Sequence, residues 1–202
     1  TPHMKVDVQD IDCDFYTFSG HKMYAPSGIG GMFGKMEVME TMPPYVTGGD
    51  MIMQVTLEKT TYAKPPARFE AGTPPISQVI GLGAAIDYLN TIGMDKIFEY
   101  EKSLLDYGTR LLNGIDGLRI IGNAEEKAAI LSIYLEAAHP HDIITMLDQD
   151  GIALRGGHHR AQPTMIRFGV PATARASMAF YNKFSEIDAL AESLRKIIKF
   201  FS

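Results

Sequence analysis

The sequence predicts an α/β layer followed by a smaller α+β unit, and three observations point that way. Up to about residue 92, short strand-like apolar runs and one long apolar helix are separated by stretches rich in proline and glycine. After Gly93 short strand candidates alternate with amphipathic helices, the pattern of a small, largely antiparallel sheet backed by helices. With 202 residues, 46% of them hydrophobic, there is apolar material for one sizeable core or two small ones. The expected units are residues 1–92 and 93–202.

Residues 6–18 read as a turn into a buried strand over Phe15-Tyr16-Thr17-Phe18. The turn Pro26-Ser27-Gly28 leads to a second strand at about 29–33. Residues 34–74 show little helical periodicity and many breakers, among them Pro43-Pro44, Gly48-Gly49, Pro65-Pro66 and Pro74-Pro75. They predict a long irregular segment, of the kind that carries function or is covered by a partner. Val79, Leu82, Ala85, Ile86 and Leu89 recur at helical spacing over 76–92, and Gly93 stops that helix. A second helix runs over about 94–112 through Ile97, Tyr100, Leu104, Tyr107 and Leu111. Beyond it, strands are expected at 118–121, 129–135, 152–154 and 174–180, with helices at 140–150 and 185–201.

The net charge of −5 offers no basic footprint for nucleic acid, and no apolar run approaches the roughly 20 residues of a membrane span. No signal peptide is visible at Thr1-Pro2-His3-Met4-Lys5. One cysteine, Cys13, rules out an intrachain disulfide framework, and a reducing cytoplasmic compartment is the expectation. Cys13 reads as a small, half-buried hydrophobe.

Four segments carry candidate chemistry. Phe18-Ser19-Gly20-His21-Lys22 delivers a hydroxyl, an imidazole and an amine together at a strand end, with Gly20 allowing close backbone approach. That suits a lysine forming a Schiff base with an aldehyde cofactor; the alternative is a solvated lysine and a structural histidine. Gly72-Thr73 before the long helix offers an anion site, or else Thr73 simply caps the helix. Arg155-Gly156-Gly157-His158-His159-Arg160 pairs two histidines, but no third metal ligand stands at a familiar spacing, so no metal is expected. Arg175, on a strand candidate, suits a bidentate grip on a carboxylate, or else a surface ion pair.

In this order, the stretches VDVQDIDCDFYTFSGHKMYAPSGIG, RFEAGTPP, GIALRGGHHRAQP and VPATARASMAFYN resemble the SufS-type cysteine desulfurases and selenocysteine lyases. These are class V aminotransferase-like, fold type I pyridoxal-phosphate enzymes. The resemblance implies that residues 1–92 are the C-terminal part of the large cofactor domain and 93–202 the small C-terminal domain. It implies Lys22 as the Schiff-base lysine, Ser19 and His21 as phosphate ligands, and Thr73 with the Gly72 backbone as a phosphate contact donated across a homodimer interface. Arg175 is implied as the clamp on the substrate α-carboxylate and Arg155 as part of the substrate loop. The implied activity is release of sulfur or selenium from cysteine or selenocysteine, serving iron–sulfur cluster assembly with a sulfur-acceptor protein as partner.

Two departures bear on that expectation. The family chain is roughly twice as long, and its other half brings the residue stacked on the cofactor ring, the Asp at the ring nitrogen and a Gln at the phenolic oxygen. A fragment of this kind is expected to bind cofactor weakly and to be inactive alone. The family's nucleophilic cysteine also follows His-His, where this sequence has Arg160. A guanidinium cannot accept sulfur as a persulfide, and Cys13 lies off that loop. Arg160 is expected to be exposed near a pocket mouth. Two other readings stay open: a lyase for selenocysteine or another β-substituted amino acid, and a non-catalytic scaffold keeping dimer and acceptor surfaces.

Overall fold

Asp7 starts the first regular element: its carboxylate accepts the backbone N–H groups of Gln9 and Asp10 and caps the short helix α1 (Val8–Ile11). The computed structural model describes residues 1–201, and the chain divides into two compact units, Thr1–Asp95 and a second beginning at Lys96. In the first, β1 (Phe15–Ser19) and β2 (Gly30–Gly34) pair antiparallel from Phe15↔Gly34 to Ser19↔Gly30. A 3₁₀ turn over Gly20–Met23 follows β1 directly. Gly20 is required there by close approach: a Cβ would lie 2.8 Å from Ile29 Cγ2 and 2.9 Å from Ile29 O.

Residues 34–74 are more ordered than their breakers suggest. They hold α2 (Met36–Thr41), an antiparallel hairpin of β3 (Ile52–Val55) with β4 (Thr60–Tyr62), and a 3₁₀ turn over Ala67–Phe69. One side chain supplies much of what periodicity does not. Arg68 donates from Nε to Ala63 O (2.9 Å) and from Nη1 to Glu40 O (3.0 Å) and Met42 O (2.9 Å), tying the end of α2 to the chain that leaves β4. Met51, fully buried, and Met39 pack inward, whereas Met53, Val55 and Leu57 of the hairpin stand in solvent. Helix α3 (Ile76–Ile92) buries only Leu89 and leaves Ile76, Val79, Ile80 and Tyr88 exposed. Thr73 does not cap it; Pro75 occupies that position, with no side-chain hydrogen bond.

The second unit is built around a four-stranded antiparallel sheet in the order β5-β6-β8-β7, formed by β5 (Leu118–Ile121), β6 (Ile130–Leu135), β7 (Arg155–Gly157) and β8 (Thr173–Ser177). Helices α4 (Met94–Asn113), α5 (Pro140–Gln149), α6 (Gln162–Phe168) and α7 (Phe184–Phe201) complete it. The strand expected at 152–154 forms three residues later, at β7, and β8 is shorter than expected, ending at Ser177. Helix α6 has no counterpart in the sequence-based expectation; at seven residues it is too short to show a period.

Period-two and period-3.6 patterns meet in one core. Leu131, Ile133 and Leu135 of β6 and Ala174 and Ala176 of β8 bury against Leu104 and Leu112 of α4, Ile143 and Leu147 of α5, and Leu190, Leu194 and Ile197 of α7. Gly108 lets α4 lie close to the sheet, since a Cβ there would meet Leu131 Cδ1 at 2.8 Å. The start of α7 is locked by Glu186, which accepts Lys183 N–H (2.7 Å) and Asn182 Nδ2 (3.1 Å). Those two hydrogen bonds hold its carboxyl below the usual range. Among the described residues, no helix is long and apolar enough to cross a membrane, and no group of three His, Cys, Asp or Glu side chains is placed to hold a metal.

Because Leu131 is fully buried in a central strand, Leu131→Ala should cost about 2–5 kcal/mol in urea unfolding. Leu57→Ala, at a fully exposed hairpin position, should stay within about 0.5 kcal/mol of the parent. Equal losses in the two variants would show that the core is misplaced.

Candidate active site

The first unit presents Lys22 at the end of the β1–β2 ribbon. Ser19 closes β1, Gly20 turns the chain, and the 3₁₀ geometry of Gly20–Met23 swings Lys22 outward while Met23 packs inward. A pocket of about 300 Å³ opens there, lined by Thr1, Pro2, Thr17, Phe18, Ser19, Lys22 and Met23. Lys22 is exposed, and among the described residues no carboxylate pairs with it. An exposed lysine that shares a pocket lining with Thr17 and Ser19 suits an anionic group such as a phosphate ester. His21 is exposed on the same turn but does not line the pocket. Gly72 and Thr73 also stand outside its lining. The Gly72 N–H donates to Gly49 O (3.0 Å), Gly72 takes φ +80°, and Thr73 is exposed.

In the second unit, strand register brings two arginines together. β7 pairs with β8 so that Arg155 lies opposite Arg175, Gly156 opposite Ala174 and Gly157 opposite Thr173. Like charges directly across a sheet repel. Among the described residues no Asp or Glu forms an ion pair with either arginine. Arg175 Nε is buried without a hydrogen-bond partner. Thr173, two residues before Arg175 on the same face of β8, is fully buried and makes a 2.8 Å hydrogen bond with His159 Nε2.

The chain leaves β7 through a tight turn in which Ala161 N–H donates to His158 O (2.8 Å). Its two central residues, His159 (φ 53°) and Arg160 (φ 60°), are both left-handed. Non-glycine residues take this conformation at a cost of order 1–3 kcal/mol each. Arg160 N–H also donates to His158 Nδ1 (3.2 Å), and the Arg160 side chain is exposed, as expected. Burial pushes the His159 imidazole below its ordinary value, the charge of Arg175 adds to this, and a hydrogen bond to Thr173 opposes it; Arg155 and His158 contribute less. These influences favour the neutral ring, and its buried Nδ1 lacks a partner.

Sequence alone does not join Thr173 to the cross-strand Arg155–Arg175 pair. The alternation Thr173-Ala174-Arg175 was a usable signal, since period two sets Thr173 and Arg175 on one face. The pairing across twenty residues left no local trace.

Over most of its length the chain is similar to several cysteine desulfurases. A probable cysteine desulfurase of Streptomyces coelicolor is 50% identical over 202 residues, which is 99% of this chain and 48% of that protein. A cysteine desulfurase of Synechococcus elongatus is 51% identical over 195 residues, 96% of this chain and 31% of its own length. The crystal structure of the Escherichia coli cysteine desulfurase CsdA superposes with a TM-score of 0.92 at 38% identity, covering 98% of this chain and 49% of that one. The chain thus spans about half or less of the length of these relatives. Residues 1–190 match the family described as Aminotransferase class-V, and the chain belongs to that family.

Proposed function

We propose that this chain supplies the cofactor-anchoring lysine and the substrate-carboxylate clamp of a cysteine desulfurase-like pyridoxal-phosphate enzyme. The observation that carries the reading is Lys22 standing exposed at a pocket that Thr17 and Ser19 also line, with no acidic partner among the described residues. One related structure is of a mutant with glycine covalently linked to its pyridoxal-phosphate cofactor; at 22% identity it speaks to fold alone. The donors present fit the phosphate and aldehyde ends of such a group, and the tight Gly20 turn holds them in place.

When bound, pyridoxal phosphate supplies an electron sink for bonds at the substrate α-carbon. In this reading Lys22 carries the cofactor, and Ser19 and His21 donate to its phosphate. Thr73, exposed beside a Gly72 whose N–H is held by Gly49 O, donates its hydroxyl to the phosphate of a second copy, which makes the working form a homodimer. The exposed apolar residues of the hairpin, Met53, Val55 and Leu57, suit burial in an assembly. Arg175 grips the amino-acid carboxylate with Arg155 beside it. Arg160 stands at the place of the sulfur-accepting cysteine, so cysteine desulfuration and delivery to an acceptor protein both fail for want of a thiol.

A second reading, a non-catalytic scaffold that retains dimer and acceptor surfaces, draws on the same residue. The two readings part on the cofactor. In a titration of the chain with pyridoxal phosphate, the absorbance band of lysine-bound cofactor should develop weakly and vanish in Lys22→Ala. A band that survives Lys22→Ala removes Lys22 from its role, and no band at any concentration favours the scaffold. Joined to the half of a desulfurase that it does not span, and supplied with a dithiol reductant, the chain should release no sulfide from cysteine, whereas Arg160→Cys should form alanine and a persulfide that the dithiol reduces to sulfide. Equal release from both versions would show that the loop is misassigned.

A further inference from the structure

One imidazole stands among charges of a single sign where β7, β8 and the turn between them form a corner of the second unit. His159 is moored there by the 2.8 Å hydrogen bond between its Nε2 and the hydroxyl of Thr173, which is fully buried. Thr173 and Arg175 share a face of β8, so a ring seated on Thr173 has Arg175 as its neighbour along the strand. Arg155 lies opposite Arg175 on β7. Arg175, then Arg155 and His158, are the charged or titratable groups whose fields reach the ring, and no carboxylate is among them. α5 meets β7 at Gly156 with Ile144 and the Pro140 carbonyl, neither of which carries charge. The corner also keeps two buried polar atoms without partners, Arg175 Nε and His159 Nδ1. Native structures rarely leave such atoms unsatisfied without a reason.

We infer that His159 is a proton-accepting member of the carboxylate site: when Arg175 takes a carboxylate, the His159 ring takes a proton from water. The inference rests on the reading of Arg175 as the α-carboxylate clamp and adds a residue to it. Burial favours the neutral ring, and the charges of Arg175 and Arg155 push the same way. A carboxylate on Arg175 sets a negative charge against both guanidinium groups and cancels much of that push. The ring then gains one N–H, and no other bond is made or broken. A hydroxyl both donates and accepts, so the bond to Thr173 survives protonation in either tautomer. The coupling is reciprocal: a proton on His159 places a third cation in the corner and tightens the grip on a carboxylate. Affinity therefore rises as pH falls through the interval between the midpoints of the ligand-bound and ligand-free ring, and levels off on either side. His158 is exposed, with its Nδ1 taken by Arg160 N–H, and has no part in this coupling.

The test is a magnetic-resonance pH titration of the full chain that follows the His159 ring signals with and without L-alanine, at constant ionic strength. L-alanine should raise the midpoint of His159 by about one pH unit, and it should bind about tenfold more tightly below that interval than above it. His159→Asn should flatten the pH dependence of binding; asparagine suits the left-handed backbone at this position and cannot titrate. His158→Asn should keep the pH dependence. Arg175→Gln should weaken L-alanine binding and raise the midpoint of His159 even without ligand. A His159 midpoint that bound L-alanine does not move overturns the coupling and leaves the clamp standing, and so does a pH dependence that survives His159→Asn. A midpoint that Arg175→Gln leaves in place shows that the guanidinium does not act on the ring, and overturns the inference as well. Absence of any binding at tens of millimolar L-alanine overturns the clamp and this inference together.

Discussion

The pairing of β6 with β8 is the constraint from which the second unit follows. Leu131 opposes Ala176 and Ile133 opposes Ala174, so large and small apolar side chains alternate across the ladder and face the helices. The same register sends Ser132 and Arg175 to the other face. A slip of one residue would turn Arg175 into the core and Ala174 out of it, and burying an unpaired guanidinium costs far more than a misplaced alanine. The hydrophobic pattern of these two strands thereby fixes where the charge goes. β7, with its Arg-Gly-Gly sequence, has no apolar pattern of its own and takes its place because β8 offers an edge and Gly156 lets it lie against Ile144 of α5.

This dependence explains which parts of the fold could be read in advance. Helices α4 and α7 carry long amphipathic patterns whose buried positions recur three and four apart, and both fall within a residue of where the pattern puts them. β5 and β6 are runs of branched residues and are equally plain. Ile152–Leu154 have strand propensity and Arg155–Gly157 do not, yet the strand forms at Arg155–Gly157, where pairing with β8 overrides propensity. The order within 34–74 was invisible for a related reason. Part of it comes from the Arg68 side chain bridging to three carbonyl groups, two of them more than twenty residues away.

The site divides along the same line. The Lys22 turn is local, so Ser19, Gly20 and Lys22 announce themselves within four residues, and the close contact that demands glycine lies only nine residues on, at Ile29. The arginine corner is assembled from β7, β8 and the turn between, so its individual members were visible and their arrangement was not. Resemblance to a family supplied roles for Arg155 and Arg175, but their direct opposition comes from register alone.

The left-handed pair His159–Arg160 has a consequence for how this loop changes over generations. Glycine or asparagine at either position would relax the backbone, so selection for folding alone would steadily replace both residues. Persistence of a β-carbon and a long charged side chain there is a departure from the stability optimum. Among natural variants of this chain, the ratio of glycine and asparagine to other residues at 159 and 160 therefore reads as a clock: it records how long the corner has been free of any duty besides folding.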